Sequence, residues 1–450
     1  MGKLFGTDGI RGVVNENLNA DLAFEVGCAA ARVLAQDTGK KKPLVAIGKD
    51  TRISSDLLEG ALVAGLCSAG ADVLHLGVIP TPAVAFLTVA NKADAGIVIS
   101  ASHNPFEHNG IKIFNGQGFK LSDALENKIE DIVLFNEKPT LCKGADIGQV
   151  TYLDQQGAEA YIEHLVSTVD TDLAGLRILV DCANGAASAT AGRLFDRFPK
   201  LQSDIINADP NGININKDCG STHIDHLAAM VTAGKYDMGI AFDGDADRCL
   251  AVDDTGVLID GDQVLAICGT DLDSRGELAG KTLVATVMSN LGFRIFAKEH
   301  GYHLICTDVG DRNVLEEMER GGFVLGGEQS GHTIFRRLAT TGDGELTALQ
   351  LLNVVHKSGK RASELAAMCA RYPQVLLNVT VNSKEKKEEI MASQALKDAI
   401  AQTEAELSDT GRVLVRPSGT EPLVRVMVEA KEEATAMSEA EKLANLIKNL

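Results

Sequence analysis

The sequence predicts an α/β protein in which three successive units with mixed sheets are followed by a smaller α+β C-terminal unit. Three observations predict this fold class. Short apolar, β-branched runs alternate with helical patterns, which is typical of a sheet covered by helices on both faces. This alternation begins again near residues 176 and 282. Beyond about residue 371 strands and helices segregate, which is typical of an α+β unit.

Each unit is predicted from its own apolar strand patterns and helical patterns. The first contains strands 43–48, 72–79 and 95–100 and a helix over 54–70 that ends at a glycine. The second contains strand 176–181, a helix from about Ala186 and strand 237–242. The third contains strands 282–288, 303–307 and 323–326 and helices 290–300 and 311–320. The last contains strand 375–381, a charged helix-rich run over 383–407, a strand pair within 412–430 and a terminal helix. The predicted domains are therefore 1–150, 151–253, 254–371 and 372–450.

Composition restricts the class of protein. The chain has 450 residues, and 43 Lys+Arg against 62 Asp+Glu give a net charge of −19. This charge argues against nucleic acid and membrane surfaces as partners, whereas a locally basic pocket for a small anionic substrate stays possible. The nine cysteines are scattered without a CxxC pair, which favours buried thiols in a reducing, cytoplasmic compartment. No membrane-spanning stretch or signal peptide is predicted.

The segment 243–248 (DGDADR) is the strongest chemical signal. It follows an apolar strand directly, and residues i, i+2 and i+4 of an extended loop face one way. Asp243, Asp245 and Asp247 would repel one another unless a cation joined them, and hard oxygen ligands suit Mg²⁺ or Ca²⁺. An EF-hand is excluded because Arg248 stands where that loop needs glycine. The sequence predicts a metal site, with a solvated acidic turn as the alternative.

The segment 100–105 (SASHNP) follows the predicted strand 95–100. A serine beside a histidine, as at Ser102 and His103, is one pattern of acyl-transfer enzymes, but the chain has no GxSxG elbow. In addition, the side chains of neighbouring residues on a strand point to opposite faces. His103 is therefore predicted to point away from the Ser102 hydroxyl. A hydroxyl that accepts and returns a phosphoryl group fits better, and Lys112 lies on the strand 111–114 that follows. An ordinary Ser/Asn turn is the alternative.

Three further segments are rich in glycine. In 326–332 (GGEQSGH), Glu328 and Ser330 alternate and could hydrogen-bond a polyol, with a plain hairpin turn as the alternative. The segment 416–422 (RPSGTEP), with Arg425 beyond it, combines arginine, hydroxyls and free backbone N–H groups, as phosphate sites do. The segment 5–12 (FGTDGIRG) lacks the spacing of a P-loop or a dinucleotide fingerprint, and a lone arginine in such a turn is normally solvated.

Taken in this order, the five segments resemble those of the α-D-phosphohexomutase superfamily, and the resemblance extends over essentially the whole chain. The segments 327–332 and 340–344 are similar to the corresponding segments of the superfamily members that act on glucosamine phosphates. Relatives that act on mannose and glucose phosphates usually carry a lysine in the segment that corresponds to 286–290, which here reads TVMSN. They also carry Gly-His where this chain has 308–312 (DVGDR). Both departures point away from those relatives.

The resemblance implies four domains around a central cleft. It implies interconversion of glucosamine 6-phosphate and glucosamine 1-phosphate, on the route to UDP-N-acetylglucosamine and cell-wall precursors. The implied chemistry uses an active-site phosphoserine, one Mg²⁺ per chain, and glucosamine or glucose 1,6-bisphosphate as intermediate and activator.

Site roles are implied residue by residue. Ser102 would be the phosphoserine and a fourth metal ligand beside Asp243, Asp245 and Asp247. His103 would lie near it, and Arg248 would steady the transferring group. The remaining implied groups are the acid/base candidates Arg11, Lys112 and His332, the sugar ligands Glu328 and Ser330, and the phosphate ligands Arg416, Ser418, Gly419, Thr420 and Arg425.

Other functions stay open at this point. The nearest alternative is a phosphoglucomutase/phosphomannomutase of the same superfamily. A metal-dependent sugar phosphatase and a non-catalytic sugar-phosphate sensor are the others. The sequence does not specify an oligomeric state, and a homodimer stays open.

Overall fold

The computed structural model describes residues 4–6, 8–135, 141–381, 383–418 and 423–450. The chain forms two compact units, Met1–Val287 with His303–Met368, and Met288–Tyr302 with Cys369–Leu450. Three mixed sheets lie in the first unit and an antiparallel sheet lies in the second. The predicted succession of three α/β parts and one α+β part is confirmed.

The first sheet has six strands in the order β1-β5-β4-β2-β3-β6. β2 pairs in parallel with β3 and β4, and β6 pairs in parallel with β3, whereas β5 runs antiparallel to β4 and β1. The elements are β1 (Ile10–Val13), α1 (Ala20–Thr38), β2 (Leu44–Lys49), α2 (Ser55–Ser68), β3 (Asp72–Val78), α3 (Thr81–Ala90), β4 (Ala95–Ile99), β5 (His108–Asn115), α4 (Asp123–Leu134) and β6 (Val150–Tyr152).

The second sheet has the order β11-β10-β9-β7-β8, with β7 parallel to β8 and β9, and β10 antiparallel to β9 and β11. The elements are α5 (Asp154–Ser167), β7 (Arg177–Asp181), α6 (Ala191–Phe195), β8 (Gln202–Ile206), α7 (Ile224–Gly234), β9 (Met238–Phe242), β10 (Cys249–Asp253) and β11 (Leu258–Ile259). The helix predicted from about Ala186 is wrong in extent. Residues 186–189 form only a 3₁₀ turn, because the backbone at Thr190 (φ −123°, ψ −42°) is not helical and separates this turn from α6.

The third sheet has the order β13-β12-β14-β15, in which only the β14–β15 pair is antiparallel. The elements are α8 (Gly261–Ser274), β12 (Thr282–Thr286), α9 (Leu291–Glu299), β13 (His303–Thr307), α10 (Asp311–Gly321), β14 (Leu325–Gly327), β15 (Thr333–Phe335), α11 (Gly344–Ser358) and α12 (Ala362–Ala366).

One topological feature recurs in all three mixed sheets. A buried strand that is parallel to one neighbour passes through a loop into an antiparallel partner, as β4 into β5, β9 into β10 and β14 into β15. Every residue of β4, β9 and β12 is buried, which explains their uninterrupted apolar runs. The three connecting loops carry Ser102, the aspartate cluster and Glu328.

The second unit has the antiparallel sheet β16-β18-β17. Its elements are β16 (Gln374–Thr380), α13 (Lys384–Ala392), α14 (Gln394–Leu407), β17 (Gly411–Pro417), β18 (Leu423–Ala430) and α15 (Glu433–Asn449). The predicted helix-rich run over 383–407 is two helices, since the backbone at Ser393 is extended.

Helix α9 lies in this second unit although its sequence neighbours β12 and β13 belong to the third sheet. The buried Glu429 carboxylate accepts hydrogen bonds from the Leu291 N–H at 3.0 Å and from the Asn290 side-chain amide at 3.1 Å. A carboxylate at a helix N-terminus satisfies otherwise unpaired N–H groups. Glu429 therefore anchors the start of α9 to β18.

Candidate active site

Ser102 lies just beyond β4, in a turn where its own backbone is left-handed (φ 52°). Its buried hydroxyl donates to Asp243 Oδ2 at 2.6 Å and lies 3.4 Å from His103 Nδ1. The expectation that His103 points away from its neighbour's hydroxyl is wrong. The left-handed turn abolishes the alternation of a strand and brings both side chains to one side.

The three aspartates lie in the loop between β9 and β10. Asp243, Asp245 and Asp247 are buried, and ligand oxygens from all three lie within 4.8 Å of one another. The predicted convergence is confirmed, although the loop is not extended, because Ala246 has φ 57°. Burial and the two neighbouring carboxylates raise the pKa of Asp243 well above its usual value.

The donor set fits a divalent cation. Oδ1 of Asp245 and Oδ1 of Asp247 are buried and have no hydrogen-bond partner within the described part of the chain. A buried carboxylate oxygen without a partner is costly, and a hard cation compensates that cost. The cluster is therefore suited to Mg²⁺.

Lys112 neutralises part of this charge. It points from β5 to Asp245 Oδ2 at 2.9 Å, with Asp247 Oδ2 at 3.6 Å and Asp8 Oδ2 at 3.7 Å. Burial alone would lower the pKa of Lys112, but Asp245, Asp8 and Asp247 outweigh it and raise that pKa. At neutral pH Lys112 is therefore a cation, able to neutralise or donate but not to accept a proton.

Arg248 and His103 form a second polar pair. Arg248 Nη1 lies 3.2 Å from His103 Nδ1, and the Arg248 backbone N–H donates to Asp243 Oδ1 at 3.2 Å. Burial, followed by the positive charges of Arg248 and Arg11, lowers the pKa of His103 to about 4. His103 is therefore neutral at physiological pH, and its Nδ1 lone pair accepts a hydrogen bond from the Arg248 guanidinium.

Arg11 is not a solvated turn residue, contrary to the expectation for a lone arginine. It lies on β1, half-buried, and pairs with Asp8. Asp8 also accepts from Lys120 at 3.1 Å. Burial would raise the pKa of Asp8, but Lys112, Lys120 and Arg11 hold it well below its usual value. The segment 5–12 thus contributes charged groups to the site.

The loop between β14 and β15 is a hairpin, which was the alternative interpretation of this segment. Glu328 N–H bonds to the His332 carbonyl at 2.9 Å, and the Glu328 carboxylate accepts from Gly310 N–H at 3.1 Å. Ser330 is exposed at the tip. A hairpin does not exclude a binding role, because it presents both side chains from a fixed backbone.

His332 links the hairpin to the aspartate cluster. Its Nδ1 lies 3.7 Å from Asp247 Oδ2, while Gly342 N–H donates to its Nε2 at 3.1 Å. Burial would lower the pKa of His332, but Asp247 outweighs it and raises that pKa to about 9. The Gly342 N–H opposes this effect, because it requires a lone pair on Nε2 and so stabilises the neutral ring.

The predicted phosphate ligands lie in the second unit. Arg416 on β17 and Arg425 on β18 are directly opposite each other in the antiparallel register. Burial, followed by the positive charge of the nearby Arg425, lowers the pKa of Arg416. The Ser418 N–H donates to the Leu423 carbonyl at 2.9 Å. The predicted ligands Gly419 and Thr420 lie outside the described residues.

Comparisons with known proteins cover the entire chain. Family models described as phosphoglucomutase/phosphomannomutase domains I, II, III and the C-terminal domain match residues 2–139, 159–256, 260–372 and 376–446. A phosphoglucosamine mutase of Acetivibrio thermocellus is 53% identical over 450 residues, with 99% of each chain covered. One from Caldanaerobacter subterraneus is also 53% identical, with the same coverage.

The chain belongs to the phosphoglucomutase/phosphomannomutase family.

Solved structures agree with this fold. A family protein from Burkholderia thailandensis superposes with a TM-score of 0.82 at 24% identity, covering 100% of this chain and 98% of that one. An N-acetylphosphoglucosamine mutase of Aspergillus fumigatus, solved with GlcNAc-6P and magnesium, gives a TM-score of 0.73 at 18% identity, covering 99% and 95%. Within the described residues, no helix is both long and apolar enough to cross a membrane.

The candidate active site also contains residues that the sequence motifs did not indicate. Asp8 and Lys120 pair beside Lys112, and Thr81 donates to Asp245 Oδ2 at 2.8 Å. Asp50 and Arg52 lie beneath the Ser102 turn. The last two do carry a signal, since they follow β2 at its carboxyl end, where the loops of a parallel sheet form sites.

Proposed function

We propose that the protein is a phosphoglucosamine mutase, which transfers a phosphoryl group between O6 and O1 of glucosamine phosphate. The observation that carries the proposal is the Ser102 hydroxyl, which lies 2.6 Å from an aspartate of the buried cluster and 3.4 Å from His103. Lys112 and Arg248 contact aspartates of the same cluster. The names of the curated relatives, at about half identity over full length, support the same activity.

The reaction has two half-reactions at one serine. Phosphorylated Ser102 donates its phosphoryl group to the free O1 of glucosamine 6-phosphate, so the serine Oγ–P bond breaks as the O1–P bond forms. The resulting 1,6-bisphosphate turns around, and its 6-phosphate returns to Ser102 as the O6–P bond breaks. One centre serves both steps because each is positioning and charge neutralisation around the same phosphoryl group.

The protein's own groups divide this work. Ser102 accepts and donates the phosphoryl group, and its proton passes to a neighbouring acceptor when the serine is rephosphorylated. Asp243, at 2.6 Å, is in place for that proton, whereas His103 Nδ1, at 3.4 Å, already accepts from Arg248. Lys112 and Arg248 neutralise charge on the phosphoryl oxygens. Arg11, Lys112 and His332 stay the candidates for acid/base work at the sugar oxygens, where the cationic Lys112 can act only as a proton donor.

Mg²⁺ held by Asp243, Asp245 and Asp247, with the phosphorylated Ser102 as a further ligand, would supply the electrostatic stabilisation typical of phosphoryl transfer. Glu328 and Ser330 hold sugar hydroxyls. The phosphate that does not react is held by Arg416, Ser418, Gly419, Thr420 and Arg425. We further propose that glucosamine or glucose 1,6-bisphosphate activates the protein by phosphorylating Ser102.

The test compares wild type with Ser102→Ala. The variant should lose glucosamine 6-phosphate turnover and should no longer gain the mass of a phosphoryl group after incubation with glucose 1,6-bisphosphate. Ser188→Ala is the matched control, because the Ser188 hydroxyl is buried and unpartnered among described residues. Near-wild-type turnover by Ser102→Ala contradicts the phosphoserine.

Two further measurements separate the alternatives. Stoichiometric release of inorganic phosphate would identify a phosphatase instead of a mutase. Relative kcat/KM on glucosamine, glucose and mannose phosphates decides the substrate, and a preference for glucose 1-phosphate would contradict the glucosamine assignment.

A further inference from the structure

Beneath the Ser102 turn lies a buried arginine that the proposed reaction does not use. Arg52 follows β2 and is 2% exposed, and its side chain and that of Asp50 are both fully buried. We propose that Arg52, held by Asp50, is a positioning residue for phosphoryl transfer, which fixes the Ser102 hydroxyl against the aspartate cluster. This inference rests on the proposed function and adds a residue that does not touch the substrate.

All five N–H groups of the Arg52 guanidinium are used. Nε donates to Asp50 Oδ2 at 2.8 Å. The two terminal nitrogens donate to four carbonyls of the serine loop, which are those of Ser102 at 2.8 Å, Asn104 at 2.8 Å, His108 at 3.1 Å and Pro105. One planar group therefore determines the path of the backbone from the serine to the next strand.

Ser100 extends this contact to the Ser102 N–H. The Ser100 hydroxyl donates to Asp50 Oδ2 at 2.6 Å and accepts from the Ser102 N–H at 2.9 Å. Asp50 Oδ1 also accepts from Ser55 Oγ at 3.0 Å and from the Arg52 N–H at 3.0 Å. Both polar groups of the Ser102 peptide are thus held by one network, the carbonyl by Arg52 and the N–H through Ser100 by Asp50.

A loop between β8 and α7 contacts two of the same carbonyls. Asn216 donates its side-chain amide to the Ser102 carbonyl at 2.9 Å and to the Asn104 carbonyl at 3.3 Å. The Ser102 turn is therefore fixed between two loops, one after β2 and one before α7. This arrangement sets the distance between the serine and the aspartates, which belong to different sheets.

The network is needed because the turn is unfavourable by itself. A left-handed backbone is strained for a residue other than glycine, and it persists only where the surrounding contacts determine it. A lysine at position 52 keeps the charge but has three donors on a compact head, so it cannot bond four carbonyls and a carboxylate in one plane. Charge alone should therefore not replace Arg52.

The test is Arg52→Lys, assayed as the full protein after phosphorylation by glucose 1,6-bisphosphate and with saturating Mg²⁺. We expect kcat, and the single-turnover rate of transfer from phosphoserine to glucosamine 6-phosphate, to fall by at least 50-fold while KM changes by less than threefold. The control is Asn353→Ala, which removes a buried amide that accepts a hydrogen bond from the Thr171 hydroxyl. Asn353 is remote from the serine loop along the chain, and its side chain hydrogen-bonds Asp170 and Thr171 instead. It should lower thermal stability and leave kcat within twofold of wild type.

The outcomes are distinct. A folded Arg52→Lys with kcat within threefold of wild type overturns the proposal, as does a loss of kcat matched by Asn353→Ala at equal stability. If Arg52→Lys does not fold, Ser100→Ala decides, since it removes only the link to the Ser102 N–H. A fivefold or greater fall of its kcat at unchanged KM supports the proposal, and a smaller fall overturns it. Absence of mutase turnover in wild type would instead contradict the proposed function.

Discussion

Gly244, between the first two aspartates of the cluster, lies against the backbone of the serine loop. A Cβ at this position would lie 2.5 Å from the Ser102 carbonyl oxygen, 2.8 Å from Asn216 Nδ2 and 2.9 Å from Ile215 Cδ1. Ordinary contacts begin at 3.4 Å, so Gly244→Ala forces the two loops apart by about 0.9 Å. A displacement of ~1 Å costs about 100-fold in rate when reacting groups must be aligned.

We therefore expect Gly244→Ala to lower kcat for glucosamine 6-phosphate about 100-fold. Overpacking should also lower stability by about 1–3 kcal/mol. Steady-state assays at saturating Mg²⁺ measure the first effect, and scanning calorimetry measures the second.

The matched control is Gly192→Ala in α6, where a Cβ would have nothing within 4 Å. Alanine is the better helix former by roughly 0.5–1 kcal/mol, so this variant should keep its kcat and be slightly more stable. A Gly244→Ala protein with kcat within threefold of wild type would refute the reasoning that the contact between the loops sets the catalytic geometry.

Three other predictions follow from the burial and charge of single groups. Asp245→Asn should weaken Mg²⁺ binding in calorimetry and lower kcat at least 100-fold, whereas Asp253→Asn, in the same sheet but outside the cluster, should bind Mg²⁺ as wild type does. Burial raises the pKa of Glu429 to about 7, so the folded state holds its proton more tightly than the unfolded state between pH 4.5 and 7, and the unfolding free energy should fall as pH rises through that range. In Glu429→Gln the unfolding free energy should therefore differ less between pH 5 and pH 8 than in wild type, as measured by urea titrations followed by circular dichroism. The same difference in both proteins would contradict the raised pKa of Glu429. In the native protein a thiol reagent should label first the three cysteines that are not buried, namely Cys67, Cys142 and Cys306. Early labelling of the buried Cys182, Cys249 or Cys268, whose pKa burial raises, would contradict the buried-thiol expectation.

Much of the fold was predictable from local pattern. Apolar runs at 95–99, 238–242 and 283–285 lie in strands that are buried on both faces, and their alternation with helical patterns favours a largely parallel sheet. The aspartate cluster was predictable for a similar reason. Three carboxylates within five residues repel one another wherever the loop lies, so the sequence alone indicates a cation.

Other parts of the site depended on backbone geometry that spacing does not reveal. His103 was expected to point away from Ser102, but the left-handed turn at Ser102 reverses that orientation. Arg11 was expected in solvent, but β1 pairs with β5 and brings it into the charged group around Asp8.

The sequence by itself determined most of the strands and helices and the residue types that carry the chemistry, because these depend on neighbours within a few positions. Only the tertiary structure decided which of these groups meet. Ser102 and Asp243 are 141 residues apart and belong to different sheets, yet their oxygens are 2.6 Å apart. That distance depends on how two sheets pack and on a buried arginine that bonds four carbonyls at once. Because those contacts join residues that are remote along the chain, no local pattern encodes them.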